Sequence, residues 1–362
     1  MMLMKTGLAL YFLLYFFPLP AVTQNVGVFI DDREYFYVFD NGKIEKLEFL
    51  PVNSYKVGGN YVAYMDNKNG LNLYYKGHKT SIEEFSTAKY YATDKLFFYV
   101  TKGQLWTLFE GKISLTDNWI SKKFAYGDSI IAYHDYLDEF KVFYNGETQT
   151  LNERRVRSFQ AGDNLVAYID ISNEFYVFYK GETEYLENVP PTAFQVDKNI
   201  VAYLDQYGSF KVFDKGEIVE LEAFSPRTFK TGENLVAFIN NLGEFKVYFD
   251  GEIHELLTES PRSFKLQENI LVYFDLNDYF HIFYKGEDIL VEKYHPEKIK
   301  IDNDIVVYTD LDGKLKCFLN GEIFDAGNEV VTAFNLFNKV ITYYQIKGKN
   351  KVFFDGELLR HY

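Results

Sequence analysis

Residues Arg157–Leu186 read RSFQ AGDN LVAYID ISNE FYVFY KG ETEYL, and the parsing of this stretch decides the fold. Short runs rich in Val, Phe and Tyr alternate with two to four turn-forming residues, which predicts an antiparallel meander of four strands, a to d. Its last turn is Lys180-Gly181, and that glycine is one of ten: Gly42, Gly77, Gly111, Gly146, Gly181, Gly216, Gly251, Gly286, Gly321 and Gly356. Eight of the nine intervals are 35 residues; the interval from Gly77 to Gly111 is 34. One module is therefore copied end to end, and each copy can bury its apolar faces only against its neighbours. No helix-period pattern is present, which excludes helical repeats of similar length.

The c–d turn is Asn-Gly or Asp-Gly in five copies, beginning with Asn41-Gly42 and ending with Asp355-Gly356. A two-residue hairpin of this kind needs positive φ, so these glycines are turn-makers and not a phosphate cradle. Both faces of the module are apolar. In strand b, Leu165, Ala167 and Ile169 alternate with Val166 and Tyr168; a sheet wet on one side would show polar residues there. Each sheet must lie between two others, as blades do in a β-propeller. The position 13 before each glycine is aromatic in all ten copies, from Phe29, Tyr64 and Phe98 to Tyr343, and should cement neighbouring blades. The expected fold is all-β, a β-propeller of about ten 35-residue four-stranded antiparallel meander repeats. The first copy starts at strand b (residues 26–31), so ten copies of b, c and d with nine of a give about 39 strands. The propeller domain, 25–362, fits one ring, two five-bladed rings meeting near 189–191, or an open stack.

Residues 1–24 read as a secretory signal peptide: Lys5, an apolar run from Gly7 to Phe17, then Pro18, Pro20 and small residues before Gln24. No later run is long and apolar enough to span a membrane. Removing the leader takes the formal charge from −14 to −15, because Lys5 is its single charge, and makes nucleic acid a poor partner. Cys317 is the only cysteine, so no internal disulfide can form, and 66 Phe and Tyr (35 plus 31) are left to stabilise the chain by packing.

Modules with VAYID or VAYLD, then FKVFY or FKVFD, then NGE or KGE, resemble the short-repeat propellers of exported proteins in Bacteroidota. Within that group the chain is similar in kind to the plug subunit that closes the outer-membrane translocon of the type 9 secretion system. The resemblance covers the mature chain in general character and rests on no diagnostic motif. It implies a soluble accessory in the periplasm, or alternatively a secreted protein, whose partner is an envelope protein such as an outer-membrane translocon.

Seven copies carry Asp 11 residues before the glycine: Asp31, Asp66, Asp135, Asp170, Asp205, Asp275 and Asp310, with Asn240 in an eighth. They should cap the b–c turns; a cation-binding ring would need several oxygen ligands within one loop. Eleven residues after the glycine stand Lys122, Arg157, Arg227 and Arg262, on the same face of the ring, where ion pairs with those Asp are expected. Arg154, Arg155, Arg157, Arg227 and Arg262 form the candidate protein-binding set, as the largest basic departure from an acidic surface. On the opposite face, Glu follows the glycine in seven copies, such as Glu182 and Glu252, and Asp163, Asp197 and Glu233 stand in a–b turns, where solvated turn charge explains them.

Catalysis has little support. The six histidines (His78, His134, His254, His281, His295 and His361) share no repeat position and no metal-ligand spacing, and His134 is expected to be solvated at its turn. No cofactor or metal is implied. The reading is a non-enzymatic exported propeller that binds protein as an accessory of an envelope or secretion complex. A carbohydrate-binding lectin would need exposed aromatics in the same loop of several blades, and the aromatics read as strand residues. A propeller hydrolase would need acids lining the channel.

Overall fold

The computed structural model describes residues 26–345, 350–354 and 357–360. These residues form 38 strands and no helix. The difference from 39 lies in one strand, Glu322–Phe337, whose 16 residues serve as strand d of one blade and strand a of the next. Blade 1 has three strands, Val26–Ile30, Phe36–Asp40 and Lys43–Glu48, which are b, c and d of the first repeat. Eight four-stranded blades follow, each paired antiparallel in chain order. The closing meander, blade 10, is the end of Glu322–Phe337 with Val340–Gln345, Asn350–Phe354 and Glu357–Arg360. The expected leader, and the turn at Gly356, lie outside the described residues.

The alternation in strand b explains the stacking. Leu165 and Ala167 of blade 5 join a buried cluster with Val201, Tyr203 and Phe213 of blade 6. Val166 and Tyr168, on the other face, join Ile130, Phe140 and Val142 of blade 4. The same aromatic step recurs: Phe140 meets Tyr168 at 5.2 Å, Phe175 meets Tyr203 at 5.4 Å and Phe245 meets Tyr273 at 5.3 Å. Each such pair contributes about 0.5–1.5 kcal/mol beyond the area it buries. One member of the sequence register needs correction. Tyr99, not Phe98, pairs with Trp106 as Tyr168 pairs with Tyr176, because the residue missing from the 34-residue repeat is lost from the b–c turn.

The chain forms one ring. The cluster joining blades 5 and 6 bridges residues 189–191 without a break. Blade 1 packs on blade 10 through Phe29, Tyr37, Phe39, Val340 and Val352. Thr342 Oγ1 donates to the carbonyl of Val28 at 3.3 Å, and Tyr344 Oη to that of Ile30 at 3.3 Å. Gly27 makes this contact possible: a Cβ there would lie 2.5 Å from Val340 Cγ1. All nine described c–d turns have positive φ at both central residues, including 51° at Lys180 and 93° at Gly181.

Candidate functional site

The b–c turns and d–a loops share one face of the ring. In blade 5, Asp170 Oδ1 accepts the backbone N–H of Ser172 at 2.8 Å and of Glu174 at 2.9 Å, while Asn173 takes φ of 69°. The other six aspartates and Asn240 accept the same two amides in their own turns. Asp135 and Asp205 direct Oδ2 to Lys141 (2.6 Å) and Lys211 (3.0 Å) of the adjacent strand c. Burial works to raise these two carboxyls, but the lysine and turn-amide hydrogen bonds hold them below the ordinary range. The ring of Asp is a ring of turn caps. Among the described residues, no group of three or more His, Cys, Asp or Glu is placed to hold a metal ion.

Among the described residues the expected Asp–Arg ion pairs do not form; Oδ1 of each of these Asp already accepts two turn amides, and the arginines find other partners. Arg157 and Arg227 instead donate Nη2 to the carbonyls of Ile171 and Asn241, each at 3.2 Å. Arg262 donates Nε to Leu276 O at 3.0 Å and pairs with Asp278 at 2.7 Å. These bonds clip each d–a loop to the b–c turn of the blade it enters. Arg155 lies 3.6 Å from the equally exposed Asp138, and Arg154 is fixed through its backbone N–H to Asn152 Oδ1. All five arginines are exposed on this face: Arg154, Arg155 and Arg157 enter blade 5, Arg227 blade 7 and Arg262 blade 8. Lys122 falls within strand a of blade 4.

Capping also turns the residues after each Asp outward, and many are apolar. Tyr136 and Leu137, Ile171, Tyr207, Leu242, Leu276 and Leu311 stand exposed on the successive b–c turns of blades 4 to 9, with Tyr207 at 83 % and Leu311 at 77 %. Phe49, Phe85 and Phe224 stand exposed in d–a loops of the same face. The reading that aromatics lie only in strands is therefore wrong. These turn aromatics fall outside the strand register, so periodicity does not reveal them. Tyr136 follows its Asp by one residue and Tyr207 by two, so they make no repeated set in one loop position.

The opposite face carries the c–d turns, where Glu147, Glu182, Glu217, Glu252, Glu287 and Glu322 are exposed as expected. The a–b turns differ from the expectation of solvated charge. They are chained turn to turn: Ser129 N–H donates to Asp163 O (3.1 Å), Asp163 N–H to Lys198 O (2.8 Å) and Glu233 N–H to Glu268 O (2.8 Å). The side chain of Lys198, a residue only 7 % exposed, lies 3.4 Å from Asp163, 3.8 Å from Asp128 and 3.8 Å from Glu233, and contacts Glu268. Turns from blades 4 to 8 therefore converge on one ammonium. Burial alone would lower the pKa of Lys198, but the charges of Asp163, Glu233, Asp128 and Asp94 raise it. Burial and the charge of Asp128 push Asp163 up to about 7, against the pull of Lys198. Burial pushes Asp302 up to about 6. A cavity of about 260 Å³ lies beside them, lined by Asp94, Asp128, Glu268 and Asp302. Nothing in the sequence marks Lys198 as this hub except that it is a lone cation at a repeat position held by Asp128, Asp163, Glu233, Glu268, Asn303 and Asn338 in other copies.

His134 is not solvated. It is 2 % exposed, accepts the N–H of Val156 on Nε2 at 3.1 Å and packs beside Phe140 and Phe159. Burial, then the charge of Arg155, lowers its pKa to about 4, so it joins blades 4 and 5 as a neutral ring. Cys317 is buried, and burial pushes its thiol up to about 12. Among the described residues no helix is long and apolar enough to cross a membrane.

Residues 20–359 match the family described as the 10-bladed beta propeller domain, and the chain belongs to that family. Propellers of this kind commonly mediate protein interactions. No curated protein matches the chain. Similar solved structures include the computationally designed Ika8 protein, at 17 % identity over 84 % of this chain and 96 % of that one, with a TM-score of 0.33. Yeast RCC1 (Prp20) in its structure with Kap60 is 11 % identical over 83 % and 88 %, at 0.36. BamB from Moraxella catarrhalis is 10 % identical over 73 % and 95 %, at 0.30.

Proposed function

We propose that this ten-bladed propeller is a non-enzymatic protein-binding subunit that engages its partner through the face of b–c turns and d–a loops. The row of exposed apolar tips at Tyr136, Leu137, Tyr207, Leu242 and Leu311, set among exposed arginines, carries the reading. Aromatic and Arg anchors are the groups that dominate protein interfaces, and isolated soluble surfaces rarely repeat apolar tips around one rim. The partner surface should be apolar with acidic groups. The protein works in the cell envelope, in the periplasm or alternatively outside the cell, as an accessory of a secretion complex such as an outer-membrane translocon. The leader read at residues 1–24 and the resemblance to exported short-repeat propellers support that placement. A formal charge of −14 argues against nucleic acid as partner.

Capture of the partner from the native envelope tests this reading. Tyr207→Ser with Leu242→Ser and Leu311→Ser, or Arg154→Glu with Arg155→Glu, should weaken capture while the protein stays folded, the arginine pair most at low salt. Charge reversal of Glu182, Glu217 and Glu252 on the opposite face should leave capture intact. The reverse pattern would move the interface to the acidic rim.

A further inference from the structure

Blade 3 departs from the other eight repeats whose b–c turns are described in full, all of which keep a five-residue segment opened by Asp or Asn. Its b–c connection is the tight pair Lys102-Gly103, with φ of 51° and 86°. The short turn leaves a gap that Trp119, from the loop entering blade 4, partly fills: a Cβ on Gly103 would lie 3.0 Å from the indole, and Gly103 O accepts the N–H of Ile120 at 2.8 Å. Between the inner strands of blades 3 and 4 this leaves a cavity of about 700 Å³. That is the size of a small-ligand site, and it exceeds the cavity of about 260 Å³ beside Lys198.

Its lining has a consistent chemistry. Tyr91, Phe124, Tyr126 and Trp119 supply an aromatic wall, with Tyr91 5.4 Å from Phe124 and 5.1 Å from Tyr126. Lys89, Lys102 and Lys122 stand exposed at the same cavity, and the lining contains no Asp or Glu. Among the described residues none of these three lysines forms an ion pair with a carboxylate. In a chain with 52 acidic against 38 basic residues, a cavity with three unpaired ammonium groups and no carboxylate is a local inversion of charge. An aromatic wall takes a flat or ring-faced ligand by stacking, and clustered ammonium groups select the anion.

We propose that this cavity between blades 3 and 4 binds a small organic anion built on a ring, with the ring against the exposed rings of Trp119 and Tyr126 and the acid group among Lys89, Lys102 and Lys122. The ring could be a nucleobase carrying phosphate or a sugar carrying carboxylate; both present a stacking face and an anion. Trp106 and Trp119 are the two tryptophans, and Trp106 lies outside the lining, stacked on Tyr99. Trp106→Phe keeps a ring on Tyr99 and leaves Trp119 as the sole reporter.

The experiment titrates Trp106→Phe protein with adenosine monophosphate and with glucuronate, each beside its neutral counterpart, adenosine or glucose, and reads Trp119 fluorescence. At least one anion should give a saturable change at about 1 mM or below and outbind its neutral counterpart by about tenfold, which also identifies the source of the ring. Lys89→Glu with Lys122→Glu should lower that affinity by about tenfold or more, whereas Lys230→Glu with Lys265→Glu, far from the cavity in sequence and ring position, should not. All four are surface lysines, and an unchanged melting temperature certifies folding. Anions that bind no better than their neutral counterparts, or a folded Lys89/Lys122 variant that binds like its parent, would overturn the proposal.

Discussion

A side chain added at Gly181 would meet nothing within 4 Å, yet φ there is 93°. The cost of Gly181→Val is therefore conformational, and the same holds at Gly216 and Gly251. Each substitution should cost about 2 kcal/mol or more, read as a lower melting temperature; melts equal to wild type would contradict the hairpin assignment. The Asp caps lead to a second expectation. Asp170→Ala strands two turn amides and should cost about 1–2 kcal/mol, while adding calcium and then chelator should leave the wild-type melt unchanged. A calcium-dependent shift of several degrees would turn the caps into a cation site. Glycines and aspartates were legible in the sequence because they repeat and because one backbone geometry demands each. Tyr99 was misassigned to Phe98, since a one-residue deletion does not declare on which side of an aromatic pair it falls. His134 was misread for a related reason: its burial depends on Phe140 and Phe159, which no local pattern reports.

At the scale of the element, the a–b turns carry the least predictable physics. Asp163 and Glu233 could be placed in these turns from sequence, but the convergence of five turns on Lys198 depends on how closely the inner ends of the blades approach. Lys198→Met leaves Asp128, Asp163, Glu233 and Glu268 facing one another and should cost about 3–5 kcal/mol near pH 8. That deficit should shrink as pH falls, because protonation relieves the repulsion. The wild type follows the same sign. Asp163 has its pKa raised to about 7 in the fold, so between its unfolded value and 7 the native state holds the extra proton. Stability therefore falls as pH rises through that window and levels off above it. Between pH 5 and 7, wild type should lose stability relative to Asp163→Asn as pH rises, while His134 contributes equally to both proteins. Thermal melts with an equal pH dependence in both would remove Asp163 as the source.

Across the whole molecule, the sequence reached ten modules and a propeller but left one ring, two rings and an open stack in play. Thirty-five-residue periodicity describes contacts between successive blades and is silent about the contact from last to first. That contact depends on Gly27 lying against Val340, so Gly27→Leu should force blade 1 off blade 10 and lower the melting temperature, while Gly42→Leu tests turn strain without touching the seam. The repeated meander puts the b–c turns on one face, and closure sets those bearing Tyr136, Tyr207 and Leu311 around one rim. The exposed tips escaped the sequence reading because a turn position that is apolar in some blades and polar in others looks like noise until the caps show where it points. That face carries the proposed interface. A photo-crosslinking side chain placed at Tyr207 or Leu242, and separately at Glu182 or Glu252 on the opposite face, reads it directly in the native envelope. A discrete partner adduct should form from Tyr207 and Leu242 and none from Glu182 and Glu252; an adduct confined to Glu182 and Glu252 would contradict the proposed interface.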